Sequence, residues 1–196
     1  MTNKDLFSEV IILCEDIDHK QFITQYLVER GLDKRKIKKP SNLKAGEVNN
    51  NNSSVVEQYP DYVKQYRRDL NKKNMALIVM IDGDDKTFHQ RIRSLNKALD
   101  EREGELNKDL RQSDEKIAIF VPTRNIETWF EYINGNNNCN EEDDYKNKNL
   151  DKKERIKLAK DCATKLAKEM CPQGLPPDAP PSLLHACKEL ERLQLD

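Results

Sequence analysis

The chain has 196 residues, of which 36% are apolar and 35% are charged. So little apolar material under so much charge suits one modest core and argues against two full domains. The charge is balanced, 34 basic against 35 acidic residues for a net −1, so any grip on nucleic acid must come from local patches.

Other classes fall away quickly. The longest apolar run covers residues 75–81, far short of the ~20 residues needed to cross a bilayer. The N-terminal residues carry neither a signal-peptide apolar region nor a small-residue cleavage site. The five cysteines, Cys14, Cys139, Cys162, Cys171 and Cys187, are odd in number and none are spaced C-x-x-C. Neither a disulfide framework nor a zinc ribbon is expected, and the expectation is a protein of a reducing cytoplasm.

In chain order, residues 9–13 form a short apolar run rich in β-branched side chains, the mark of a buried strand. A helix follows, with Phe22, Ile23, Tyr26 and Leu27 on one face and Gly31 as its stop. Residues 32–44 carry six cations against one aspartate, net +5, and 45–54 read as an Asn-rich loop. The next helix places Val56, Tyr59, Val63, Tyr66 and Leu70 three or four apart, and Pro60 suggests that the helix proper begins near it. Residues 75–81 are apolar on both faces, as in the middle of a covered sheet. A helix with Phe88, Ile92, Leu95 and Leu99 follows, then a strand over 117–121 ending at Pro122. The last helix of the unit carries Ile126, Trp129, Phe130 and Ile133, with Trp129 read as core.

The alternation predicts an α/β fold over residues 1–135: a Rossmann-like, mostly parallel sheet with helices on both faces. Residues 136–196 are expected to form a C-terminal helical appendix packed on it. Its acidic run at 141–144 reads as a solvated loop, and its last helix is expected to start at Ser182 as N-cap.

Open parallel sheets bind ligands at the carboxyl ends of their strands. Those ends carry Glu15 and Asp16, then Asp82, Gly83, Asp84 and Asp85, then Arg124 with Glu127 just beyond. Carboxylates converging on one rim repel one another unless a cation lies between them, and a hard divalent ion is the natural filler. Each acid also has a plainer role. The Asp82–Asp85 run suits a turn and a helix cap, and Glu15, Asp16 and Glu127 suit the positive end of a helix dipole. His19 is either an ordinary first-turn residue or a ligand or proton shuttle.

A strand ending in Glu15, then much later a strand ending in Asp82-x-Asp84, resembles the TOPRIM domain of topoisomerases, primases, small ribonucleases and OLD-type nucleases. The segment 124–129 is similar to one found in small stand-alone TOPRIM-like proteins of bacterial mobile-element and phage-defence loci. The resemblance spans about residues 8–133. It implies Glu15, Asp82, Asp84 and Glu127 as catalytic metal ligands for Mg²⁺ or Mn²⁺, with Glu15 also the acid/base. It departs from the pattern where Asp16 replaces a glycine and His19 an acid.

The function expected is a metal-dependent phosphodiester hydrolase acting on DNA or RNA, with Lys34, Arg35, Lys36, Arg124 and Lys146 as candidate nucleic-acid contacts. One alternative is a non-catalytic TOPRIM-like subunit docking a partner such as an ATPase, in which oligomerisation is open. Another is a response-regulator receiver with Asp82 as phosphoacceptor. Against the receiver stand the long Asp16-to-Asp82 interval and the lack of a later strand ending in lysine.

Overall fold

A computed structural model describes residues 7–38, 52–103, 111–146 and 149–195. Four parallel strands form one sheet: β1 (Glu9–Cys14), β2 (Ile37–Lys38), β3 (Met75–Met80) and β4 (Ile117–Phe120), in the order β2-β1-β3-β4. Around them lie α1 (Ile17–Glu29), α2 (Asn52–Asp69), α3 (Phe88–Glu103), α4 (Ile126–Ile133), α5 (Lys152–Lys165), the short α6 (Cys171–Gln173) and α7 (Pro181–Glu191). The fold is the α/β, Rossmann-like sheet that the sequence predicts.

Alternation along the strands decides which helix covers which face. Val10, Ile12 and Cys14 of β1, with Ala76, Ile78 and Met80 of β3, pack on Phe22, Tyr26 and Trp129 and on α5 and α7. Ile11, Leu13, Leu77 and Val79 face the other way, onto Tyr59, Val63 and Tyr66 of α2 and Leu95 and Leu99 of α3. All six β3 residues are buried, and a fully buried aliphatic side chain contributes roughly 1.5–3 kcal/mol. The C-terminal helices α5 and α7 thus share one core with the sheet.

β4 is an edge strand, and unpaired edges invite aggregation. Here α7 closes the edge. Ile119 N–H donates to Glu189 Oε2 at 2.9 Å, and Thr123 N–H to Ser182 Oγ at 3.3 Å. Arg111 pairs with Glu189 and also donates to Ile117 O at 2.9 Å.

Three sequence expectations need correction. α2 begins at Asn52, inside the segment read as loop, and runs through Pro60. The buried Val55, Tyr59, Val63 and Tyr66 stripe outweighs the one backbone hydrogen bond that proline forfeits. α7 begins at Pro181, and Ser182, instead of capping, is buried and accepts from Trp129 Nε1 at 2.7 Å. The acidic run is the solvated loop expected, with residues 142–144 exposed, and it is anchored at its ends: Glu141 Oε1 accepts from Ser182 N–H at 2.8 Å and Asp144 Oδ1 from Asn125 Nδ2 at 2.8 Å. Cys171 and Cys187 form a disulfide joining α6 to α7, where none was expected. Residues 39–51, including Lys39 and Lys44, lie outside the described residues. Among those described, no helix is long and apolar enough to cross a membrane.

Candidate metal centre

The chain leaves β1 toward β2 on one side and β3 toward β4 on the other, so the strand order reverses between β1 and β3. Open α/β sheets bind ligands at such a switch point, beyond the carboxyl ends of the strands. Cys14 pairs with Met80 across it, and the residues just beyond are Glu15 and Asp82.

Their geometry is fixed by the backbone. Glu15 Oε2 accepts from Asp82 N–H at 2.6 Å, a contact spanning 67 residues of sequence. Asp16 caps α1, its Oδ1 accepting from His19 N–H at 2.9 Å. That cap starts the helix so that His19 turns inward, where it is fully buried and its Nε2 donates to Asp82 Oδ1 at 3.0 Å. Ligand atoms of Glu15, His19 and Asp82 all lie within 4.8 Å of one another.

The electrostatics follow from crowding. Burial pushes the Glu15 carboxyl up to about 7; His19 works against this, and the charges of Asp82 and Asp84 add to it. Burial alone would strip His19 of its proton. The charge of Asp82, the hydrogen bond to it, and Asp16 and Glu15 outweigh burial and hold the imidazole at about 10. Glu127, in the first turn of α4, is also raised, by burial and then by Asp82, with its own backbone N–H opposing. Its Oε2 is buried without a hydrogen-bond partner. Carboxylates thus crowd around one imidazolium, which offsets part of their charge, beside an unsatisfied carboxylate oxygen; oxygen donors of this kind suit a hard divalent cation.

Asp84 departs from expectation. Its backbone is left-handed (φ 55°) and its N–H donates to Arg124 O at 2.9 Å, while Gly83 N–H donates to Pro122 O at 2.7 Å. These bonds zip the β3–α3 and β4–α4 loops together. They turn the Asp84 carboxylate to Arg91 Nη2 at 3.2 Å, outside the cluster of Glu15, His19 and Asp82. Arg124, also left-handed (φ 68°), sits on the rim.

Lys34, Arg35 and Lys36 are not brought to this site. Lys34, Arg35 and Lys36 form a short turn before β2, whose Ile37 lies beside Val10. Val10 precedes Glu15 by five residues, about 16 Å along a strand. The three cations therefore occupy the opposite end of the sheet, and Arg35 is held by Asp33 at 2.6 Å.

A cleft of about 450 Å³ is lined by the acids Asp16, Asp82 and Glu127 together with Lys146, Lys152 and Arg155. Lys152 and Arg155 belong to a stretch, residues 151–168, whose mixed charges read in sequence as an ordinary solvated helix surface, so nothing singled them out. It left His19 undecided, although residues 19, 22, 23, 26 and 27 lie on one buried stripe. Comparison with protein-family models, curated proteins and solved structures finds no match to this chain.

Proposed function

We propose that the chain is a divalent-metal-dependent phosphodiester hydrolase of TOPRIM type, acting on DNA or RNA. The reading is carried by the convergence of Glu15, His19 and Asp82 at the switch point of the sheet, with Glu127 beside them. Glu15 and Asp82 would hold the ion and Glu127 would complete the set, with His19 joining only on giving up the proton that it otherwise keeps to about pH 10. When bound, such an ion supplies charge stabilisation for an attacking water and a departing phosphate oxygen.

The chain's own residues do the rest. The Glu15 carboxyl, raised to about 7 by burial with no ion bound, would give up its proton to a bound cation; its acid/base role follows from the resemblance to TOPRIM sites. The Asp82 N–H holds its Oε2 and fixes the group at the rim. His19 orients Asp82 through Nε2. An imidazole nitrogen among carboxylates favours Mn²⁺ over Mg²⁺, since Mg²⁺ prefers all-oxygen shells.

The engagement of Asp84 by Arg91 favours a second reading, a metal-binding but non-catalytic subunit of a larger complex, for instance with an ATPase. The receiver reading calls for a strand ending in lysine after β4, and among the described residues only helices follow it.

The test is incubation of plasmid, single-stranded DNA and RNA with Mg²⁺, Mn²⁺ or chelator. Metal-dependent cleavage that falls about 10²–10⁴-fold in Glu15→Gln, the usual size of an acid/base contribution, supports the proposal. Cleavage unchanged in Glu15→Gln or in chelator overturns it. Manganese binding without cleavage by the isolated chain, with activity appearing when a partner is added, selects the second reading.

A further inference from the structure

We infer that the C-terminal extension supplies the substrate grip: Lys146, Lys152 and Arg155 form a cationic wall that holds a nucleic-acid backbone phosphate against the acids of the same cleft. The inference rests on the phosphodiester reading and deepens it by naming the residues that bind.

The wall is built by specific contacts. Lys146 follows Asp144, whose carboxylate is tied to Asn125 at the start of α4 and also accepts from Lys146 N–H at 3.0 Å. Glu141 ties the same loop to the start of α7. These anchors hold Lys146 over the cleft, close enough to Glu127 to act on its ionisation. A reciprocal capping box between Asp151 and Glu154 fixes the start of α5, setting Lys152 and Arg155 in its first turns. Arg155 is anchored below by Asp18, a buried carboxylate of α1, at 2.9 Å.

Charge placement points to a phosphate. Among the described residues Lys146 and Lys152 make no ion pair. They line the same cleft as Asp16, Asp82 and Glu127, at a volume in the range of small-ligand sites (~300–1,000 Å³). Cations beside an acidic rim that can hold a metal are complementary to a group that is anionic and also ligates metal. Backbone phosphates meet both conditions, and clustered Lys and Arg bind them whatever the base sequence.

The experiment is equilibrium binding of a fluorescein-labelled single-stranded DNA and of the matching RNA, in chelator, across a salt series. The full chain is used, and manganese binding is measured separately on the same preparations. The Lys146→Gln/Lys152→Gln double variant touches no buried group, so it reads binding rather than folding. Arg155→Lys keeps a charge on Asp18.

We expect the double variant to weaken binding about tenfold or more at low salt and to lower the log–log salt slope by about 1.4, since each phosphate contact contributes ~0.7 on a single strand. Manganese affinity should stay near wild type. A larger loss on one of the two oligonucleotides identifies the strand type that the wall prefers. A double variant that binds as wild type with the same slope overturns the inference, as does loss of binding in Lys34→Gln/Lys36→Gln instead. Failure of wild-type protein to bind either oligonucleotide also overturns it, while retained manganese binding would leave the metal centre standing.

Discussion

Replacing Glu15 by Gln separates the charge of this residue from its shape. The amide oxygen can still accept the Asp82 N–H that Glu15 Oε2 now accepts, so the rim keeps its geometry. What disappears is a carboxylate held near Asp82 and Asp84, with a folded-state pKa raised from 4.5 to about 7. The folded protein binds this proton more tightly than the unfolded chain does. Ionised Glu15 therefore costs stability, and the cost grows as pH rises from about 4.5 to 7 and then levels off. At ~1.4 kcal/mol per pKa unit the ceiling is about 3 kcal/mol, and solvent screening of a half-buried group lowers it to about 1–2 kcal/mol. In chelator at pH 8, urea unfolding should find Glu15→Gln more stable than wild type by that amount, and the two nearly equal at pH 5. Added Mn²⁺ should reverse the order. A ligand at a hundredfold its dissociation constant stabilises by about 2.7 kcal/mol, and only the wild-type protein retains the full donor set. Should Glu15→Gln be the weaker protein in chelator at pH 8, or should Mn²⁺ stabilise both equally, the crowded-carboxylate account of the rim is wrong.

His19→Gln should flatten the alkaline side of the stability profile. The imidazole of His19, raised from 6.5 to about 10, contributes stability that is fully present below about pH 6.5 and lost as pH climbs through 10; urea midpoints between pH 6 and 10 read the difference. Gly83→Ala should cost about 1–3 kcal/mol and weaken Mn²⁺ binding, because the added Cβ would stand 2.6 Å from Lys86 O and 3.1 Å from Thr123 Cα. Thermal melts and manganese titration check both effects. Ser182→Ala strips the acceptor from Trp129 Nε1 and Thr123 N–H, at about 1–3 kcal/mol for unsatisfied buried donors. Trp129 is the single tryptophan, so its fluorescence reports the change directly.

The sheet was legible because burial on both faces leaves a sequence trace that little else mimics. β3 reads as an unbroken apolar run, and the covering helices repeat at three and four. The rim acids were legible for a related reason: each stands where an apolar run stops. His19 carries a readable signal as well, one turn before Phe22 and Ile23 on the same inward stripe. Its polarity hides that placement, since a stripe is usually traced through apolar residues alone. Asp84 shows the limit of the method. Its spacing from Asp82 makes it a ligand on paper, but a left-handed backbone and Arg91, seven residues on, turn its carboxylate aside. The Cys171–Cys187 pairing and the helical fate of Pro60 depend on contacts between distant segments, which spacing does not encode. The same holds for Lys34, Arg35 and Lys36: their charge is plain in the sequence, while their distance from the acids is set by the register of β2 on β1.

The C-terminal extension looks like an appendage by its position in the chain, but its contacts make it part of the site. Glu189 and Ser182 close the edge of β4, Glu141 and Asp144 pin the loop before α5, and Arg155 reaches the buried Asp18. Each contact touches a segment that also shapes the rim: β4 leads to Arg124 and Glu127, Asn125 starts α4, and Asp18 sits one residue from His19. The packing that closes the edge of β4 therefore also places Lys146, Lys152 and Arg155 at the cleft beside Asp82 and Glu127.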